Sequence, residues 1–359
     1  MHMIYGNYIQ ADRANNASFA PEDLHHKHNP TFAPRTLREA FLQRGIEINT
    51  PDVNDRLGYR AQFNLYLDGQ LPLSDTLPNY LIATENPIIN SLNANRDYLQ
   101  RFTHIFTWNP TFTSLPNASL LFIPNQIHRF TQRHIELPLA YLTPFTKRSI
   151  FACLINANKA FAKPLPNDLY QERVAVIRWY EQHAPTHFAL YGLGWHKPTH
   201  QFTWHGKLLR RGQRLATQLW GYRPYPSYQG DVVDKAIVYS KAKFAYCYEN
   251  VCDLPNYISE KIFDAFLSGC VPIYWGADNV SDLIPASCFI DRCDFTSTQA
   301  VHQYLLNISA QEYTQYQQHI MEFLFSAAAN CFDISHYTEV IVGEITKSLT
   351  RQSVPTGKS

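Results

Sequence analysis

The residues best placed for chemistry lie in the second half of the chain. The run Lys243-Phe244-Ala245-Tyr246-Cys247-Tyr248 reads as a buried strand that delivers Glu249 and Asn250 at its carboxyl end. In an open α/β sheet, ligands bind beyond the carboxyl ends of the strands. A short loop then brings Tyr257 to a helix expected over Ser259–Ser268, with Ser259 as N-cap and Gly269 as stop. Glu260 and Lys261 fall in its first turn, beside unpaired backbone N–H groups that suit an anion. A cation there opposes the helix dipole by a few tenths to about 1 kcal/mol, and a bound diphosphate would reverse that cost. A solvent-facing lysine ahead of an ordinary core helix explains the same spacing.

The elements around these residues form two series of short apolar strands separated by helices or loops. In the first half, Thr36 reads as the N-cap of a helix over Leu37–Arg44 that Gly45 ends, and Ile46–Asn49 as a strand. Phe63–Leu67, Tyr80–Ala83, His104–Trp108 and Ser119–Ile123 read as further strands. The Pro-containing stretch Leu137–Lys147 reads as a link. The pattern then restarts with a strand at Ser149–Ile155, a helix at Asn167–Gln182, and strands at Phe188–Tyr191, Phe244–Tyr248 and Val271–Trp275. Ser309-Ala310-Gln311-Glu312 matches a capping box opening a long helix. Tyr337, Ile341, Ile345 and Leu349, four apart, mark a last one. The fold class expected is α/β, with two Rossmann-like domains in tandem and a ligand cleft between them. The expected divisions are 1–147, 148–330, and a C-terminal helix and tail over 331–359.

Composition narrows the function. The 359 residues are 45% hydrophobic and 17% charged, which is globular, and the length suits two domains of ordinary size. A net charge of +1 gives no overall attraction to nucleic acid or acidic lipid. No apolar run reaches the roughly 20 residues of a membrane-spanning helix, and Met1–Arg13 does not read as a secretory leader. The seven cysteines are odd in number and form no C-x-x-C, so they are expected to be reduced core thiols of a cytoplasmic protein.

The order Tyr248-Glu249-Asn250, Tyr257-Ile258-Ser259-Glu260-Lys261 and Val271-Pro272-Ile273-Tyr274-Trp275-Gly276 resembles the signature of the α-1,3-fucosyltransferases, glycosyltransferase family 10. The likeness runs from Tyr239 to Ile290 and takes in Asn279 and Pro285. It implies a glycosyltransferase-B architecture, with a GDP-sugar in the C-terminal domain and an acceptor in the N-terminal one. It also implies donor-binding roles. Glu249 and Asn250 would face the donor, Tyr257 would lie beside the nucleotide, and Glu260 would accept donor hydroxyls. Lys261 would contact the diphosphate beside the helix start at Ser259. Arg173, in Tyr170-Gln171-Glu172-Arg173, matches a family arginine that also holds the diphosphate. Its fork can bind two phosphate oxygens at once. Glu85, in Ala83-Thr84-Glu85-Asn86, resembles the short element carrying the family's proposed general base. A loop carboxylate capping a neighbouring helix is the alternative.

No Asp-x-Asp or H-E-x-x-H is present, so leaving-group charge is expected to meet Arg173, Lys261 and a helix N-terminus, with no cofactor. His25-His26-Lys27-His28 reads as a solvated loop before it reads as a metal site. Lys207, Arg210, Arg211 and Arg214 form a basic helix face, either solvated or touching an anionic or lipid-linked acceptor. The tail helix, with Lys347, Arg351 and Lys358, is expected to pack on the fold, a membrane surface being its alternative.

The expected activity is inverting, metal-independent transfer of L-fucose from GDP-fucose to an N-acetylglucosamine or glucose hydroxyl, α-1,3-linked, in a lipopolysaccharide-like surface glycan. The partners expected are a nucleotide-sugar and an oligosaccharide or lipid-linked glycan, without nucleic acid. The expected location is the cytoplasm, with peripheral contact at the inner membrane as a variant. Two rivals stand: the same fold with another nucleotide-sugar, and a catalytically silent nucleotide- or glycan-binding protein.

Overall fold

The structure is a computed structural model and describes residues 3–21, 31–127, 141, 143–163, 165–199 and 204–353. The chain divides into two compact units, Met1–His128 with Asn330–Ser359, and Arg129–Ala329. The His25–His28 cluster, Lys358 and, within Leu137–Lys147, residues 137–140 and 142 lie outside the described residues.

The first unit is built on a parallel sheet of β1 (Ile4–Gln10), β2 (Ile46–Asn49), β3 (Phe63–Leu67), β4 (Asn79–Ala83), β5 (His104–Thr107) and β6 (Ala118–Leu120). The strands lie in the order β2-β1-β3-β4-β5-β6. β1 has no counterpart in the sequence expectations. Its Asn7 is paired in register with Asn49 and Asn64, and Asn64 with Asn79. Their side-chain amides bond along this row, Asn7 to Asn64 at 3.0 Å and Asn64 to Asn79 at 2.9 Å. Asn54 closes it, donating to Asn7 at 2.8 Å and accepting from Asn49 at 3.1 Å. Buried amides satisfying one another allow polar residues inside strands that a hydrophobic pattern does not reveal.

Counting helices of five residues or more, α1 (Phe32–Leu42) and α2 (Pro51–Leu57) flank this sheet. Thr36 is inside α1 and not its cap, because its hydroxyl donates back to the Phe32 carbonyl at 3.0 Å. Gly45, at φ 72°, does make the turn after the helix.

The second unit has the order β11-β10-β9-β7-β8, all parallel. These are β7 (Ile150–Ile155), β8 (Phe188–Tyr191), β9 (Ala242–Tyr248), β10 (Val271–Trp275) and β11 (Ile290–Asp291). Its helices are α3 (Leu169–His183), α4 (Trp204–Trp220), α5 (Lys235–Tyr239), α6 (Glu260–Leu267), α7 (Thr298–Asn307) and α8 (Ala310–Leu324). The capping box at Ser309 and Glu312 is formed at the start of α8. From β7 the chain goes outward to β8 and then returns to place β9 on the other side of β7. The crevice beyond the carboxyl ends of β7 and β9 is therefore the sheet's topological switch point.

The last helix, α9 (Ile334–Ser353), returns to the first unit. Its stripe of Tyr337, Ile341 and Ile345 is buried in one cluster with Phe41, Phe63 and Tyr80. The tail helix therefore packs on the fold, as its apolar stripe leads one to expect, and it completes the first unit's core. Five cysteines are buried thiols, but Cys293 is exposed and Cys331 half-buried, so the expectation of core thiols fails for these two. Among the described residues no helix is long and apolar enough to cross a membrane.

Candidate functional site

At the switch point of the second sheet, β9 ends at Tyr248, immediately before Glu249, and α3 begins beside it. Asp168 caps α3 by accepting from the Tyr170 N–H at 2.7 Å. The backbone of Leu169 then bonds to the Asn250 carbonyl at 3.2 Å. This fastening points Arg173 at the end of β9. The Arg173 Nη2 donates to the carbonyls of Tyr248 and Glu249, both at 2.7 Å, and to the Asn250 side chain at 3.2 Å. Arg173 is 2% exposed, and its Nε has no partner among the described residues. Burial lowers the guanidinium from its usual value, and Tyr170 and Glu249 act against that.

Glu249 is fully enclosed. Its Oε1 accepts from the Ser259 N–H at 2.8 Å, and its Oε2 accepts from the Ser259 hydroxyl at 2.7 Å and from Lys261 Nζ at 2.9 Å. Lys261 Nζ also donates to Ser259 Oγ at 2.8 Å. Ser259 does not cap α6 with its side chain, contrary to the sequence expectation. The Glu249 carboxylate, brought by the neighbouring strand, takes the anion position at the helix start and binds the serine itself. It also supplies the negative charge that a cation at an N-terminus requires. Burial works against the Lys261 ammonium, but Glu249 and then Glu260 outweigh it and raise its pKa.

Glu260 keeps 49% of its side-chain surface open and lies 3.6 Å from Lys235, which bonds Asp264 at 2.6 Å. Desolvation alone would raise the Glu260 pKa, but Lys261 and then Lys235 overcome it and lower the value. Lys235 and Asp264 were not singled out by the sequence. They sit on α5 and α6, and only folding shows that these helices adjoin.

Tyr257 is buried, with its hydroxyl 3.4 Å from the Asn250 amide. Asn256 holds the loop before it in the left-handed region, φ 67°. Asn279 locks that loop reciprocally, accepting from the Asn256 N–H at 2.8 Å and donating to its side chain at 2.9 Å. Gly276 is required by close packing, since a Cβ there would lie 2.4 Å from the Tyr274 hydroxyl and 2.5 Å from Glu249 Cγ. Gly276→Ala is therefore expected to cost about 1–3 kcal/mol in chemical denaturation by overpacking. It should also displace the Glu249 side chain.

The structure thus gathers Arg173, Glu249, Asn250, Tyr257, Ser259, Glu260 and Lys261 in one unit. Glu85 lies in the other, just past β4 at the carboxyl edge of the first sheet. Its Oε1 accepts from the Asn86 N–H at 3.0 Å and the Asn86 amide at 3.1 Å. The turn is organised by Asp68, which the sequence reading did not select. Asp68 Oδ1 accepts from the N–H groups of Thr84 at 2.7 Å and Glu85 at 2.8 Å, and from Asn93 at 2.9 Å. Asp68 has φ 59°, a left-handed turn residue immediately after β3. Among the described residues no group of three or more His, Cys, Asp or Glu is arranged to hold a metal.

Comparison with known proteins bears on this geometry. Residues 216–351 match the model of "Glycosyltransferase family 10 (fucosyltransferase) C-term". That segment is thus similar to the C-terminal part of the family 10 glycosyltransferases. It contains Lys235, the whole run Glu249–Lys261, Gly276 and Asn279, whereas Arg173 and Glu85 precede it. An alpha-(1,4)-fucosyltransferase of Arabidopsis thaliana is 42% identical over 66 residues, covering 18% of this chain and 16% of the relative. The alpha-(1,3)-fucosyltransferase FucT of Helicobacter pylori is 33% identical over 75 residues, covering 21% of this chain and 16% of the relative. The chain thus aligns with about a sixth of the length of these two relatives. A crystal structure of an alpha1,3-fucosyltransferase with GDP-fucose superposes with a TM-score of 0.55 at 12% identity, covering 99% of this chain and 93% of the other. That likeness shows the fold, two parallel α/β units of the glycosyltransferase-B kind.

Proposed function

We propose that the protein is an inverting, metal-independent fucosyltransferase acting from GDP-fucose on a glycan hydroxyl. The observation that carries this reading is that Arg173 bonds the Glu249 carbonyl while Lys261 bonds the Glu249 carboxylate beside the start of α6, with Glu249 and Lys261 inside the segment that matches family 10. Diphosphate charge develops as the sugar leaves, and preorganised cations and helix N–H groups are the groups that stabilise it. In the reaction, the acceptor oxygen attacks the anomeric carbon of fucose. The bond from that carbon to the β-phosphate oxygen breaks, and GDP departs with the electron pair. Glu85 takes the acceptor proton. Arg173, Lys261 and the N–H groups at the start of α6 hold the leaving diphosphate. Asn250, Tyr257 and Glu260 contact ribose, base or fucose, and Glu249 holds Lys261 and Ser259 in place. The acceptor proposed is an N-acetylglucosamine or glucose 3-hydroxyl of an oligosaccharide or lipid-linked surface glycan, reached from the cytoplasm.

The test is GDP release from a panel of GDP- and UDP-sugars, with and without oligosaccharide acceptors. Acceptor-dependent turnover with GDP-fucose alone is expected. Turnover with a different nucleotide-sugar would reassign the donor, and GDP binding without any turnover would leave a silent binding protein.

A further inference from the structure

We propose that α4, Trp204–Trp220, is an interfacial helix that seats the protein on an anionic lipid surface. Leu208, Leu209, Leu215 and Leu219 are exposed by 61%, 61%, 53% and 60%. Leu208, Gly212, Leu215 and Leu219 follow the spacing i, i+4, i+7, i+11 and so form one stripe, with Leu209 at its edge. Four open leucines on one helix exceed the scattered apolar exposure that a soluble surface ordinarily carries.

Charge selects the occupant. Lys207 and Arg211, both exposed, stand one position before Leu208 and Gly212, so basic positions run beside the apolar stripe. Arg210 Nε donates to the Pro198 carbonyl at 3.3 Å, tying the helix to the chain before it. Between Glu181 and Asp231 the sequence has six Lys or Arg and no acidic residue, in a chain whose net charge is +1. Leucine on one face, cations beside it and low net hydrophobicity are the marks of a helix lying in the headgroup plane of an acidic bilayer. A single-stranded nucleic acid would meet the cations but would leave the leucines bare, and it asks for aromatic stacking instead. The surface belongs to α4 and includes none of Glu249, Lys261 and Arg173.

The experiment is sedimentation of the full chain with phosphatidylcholine–phosphatidylglycerol vesicles and with pure phosphatidylcholine vesicles, at about 0.1 M and about 0.5 M salt. Binding to the acidic vesicles, weakened by salt, is expected. Leu208→Glu with Leu215→Glu should lower the partition coefficient by about tenfold per leucine, with an unchanged melting curve. Lys207→Glu with Arg211→Glu is the second variant and should lower binding to the acidic vesicles alone. Absence of vesicle binding, or binding that both variants retain, overturns the proposal. So does self-association of the parent chain in ultracentrifugation that the leucine variant abolishes while neither form binds vesicles, because the stripe then covers a second copy.

Discussion

Glu85→Gln is expected to lower turnover by about 10²–10⁴-fold while leaving GDP affinity unchanged, the size of a lost general base. Glutamine keeps the shape of the side chain and its contact with Asn86, but it cannot take the acceptor proton. The fold holds the residue firmly. Its N–H is fixed on Asp68 at 2.8 Å and its carbonyl accepts from Asn93 at 2.9 Å. The Trp108 indole donates to the neighbouring Thr84 carbonyl at 3.0 Å. Turnover within about fivefold of the parent would remove Glu85 from the mechanism. Steady-state kinetics on the purified variant, with GDP affinity measured in parallel, reads both quantities.

Lys261→Ala is expected to lower turnover by about 10²–10³-fold, the cost of one preorganised charge contact in the transition state. The substitution also strands the enclosed Glu249 carboxylate, a loss of about 3–5 kcal/mol in stability. The double variant Glu249→Gln with Lys261→Gln separates the two effects, because it removes both charges together. It should recover much of the lost stability and none of the lost turnover. Recovery of turnover together with stability would show that Lys261 serves only to neutralise Glu249. Denaturation and kinetics on the parent, single and double variants measure this.

The second unit was legible because its signals are local. The strand entering Glu249, the Gly269 stop and the Ser309 capping box each lie within a few residues of the element they define. Ser259 was misread for the opposite reason. Its partner, Glu249, is ten positions away and is brought in by sheet pairing, so the i to i+3 logic of capping could not find it. Strand β1 was missed because Asn7 looks wrong for a buried strand until Asn54 and Asn64 are beside it. Asp68 carries no motif, and its weight rests on donors that lie 16 to 25 positions further on. The spacing of Tyr337, Ile341 and Ile345 revealed a helix but not the core it fills, since periodicity gives a face and not its partner.

Calorimetric titration of GDP into the full chain and into the double variant Glu249→Gln with Lys261→Gln tests the diphosphate site most directly. A saturable one-to-one heat for the parent is expected, with affinity in the double variant lower by about tenfold or more, the worth of one charge-assisted contact. No saturable heat with the parent, or equal affinity in the two proteins, would contradict a diphosphate held at the start of α6.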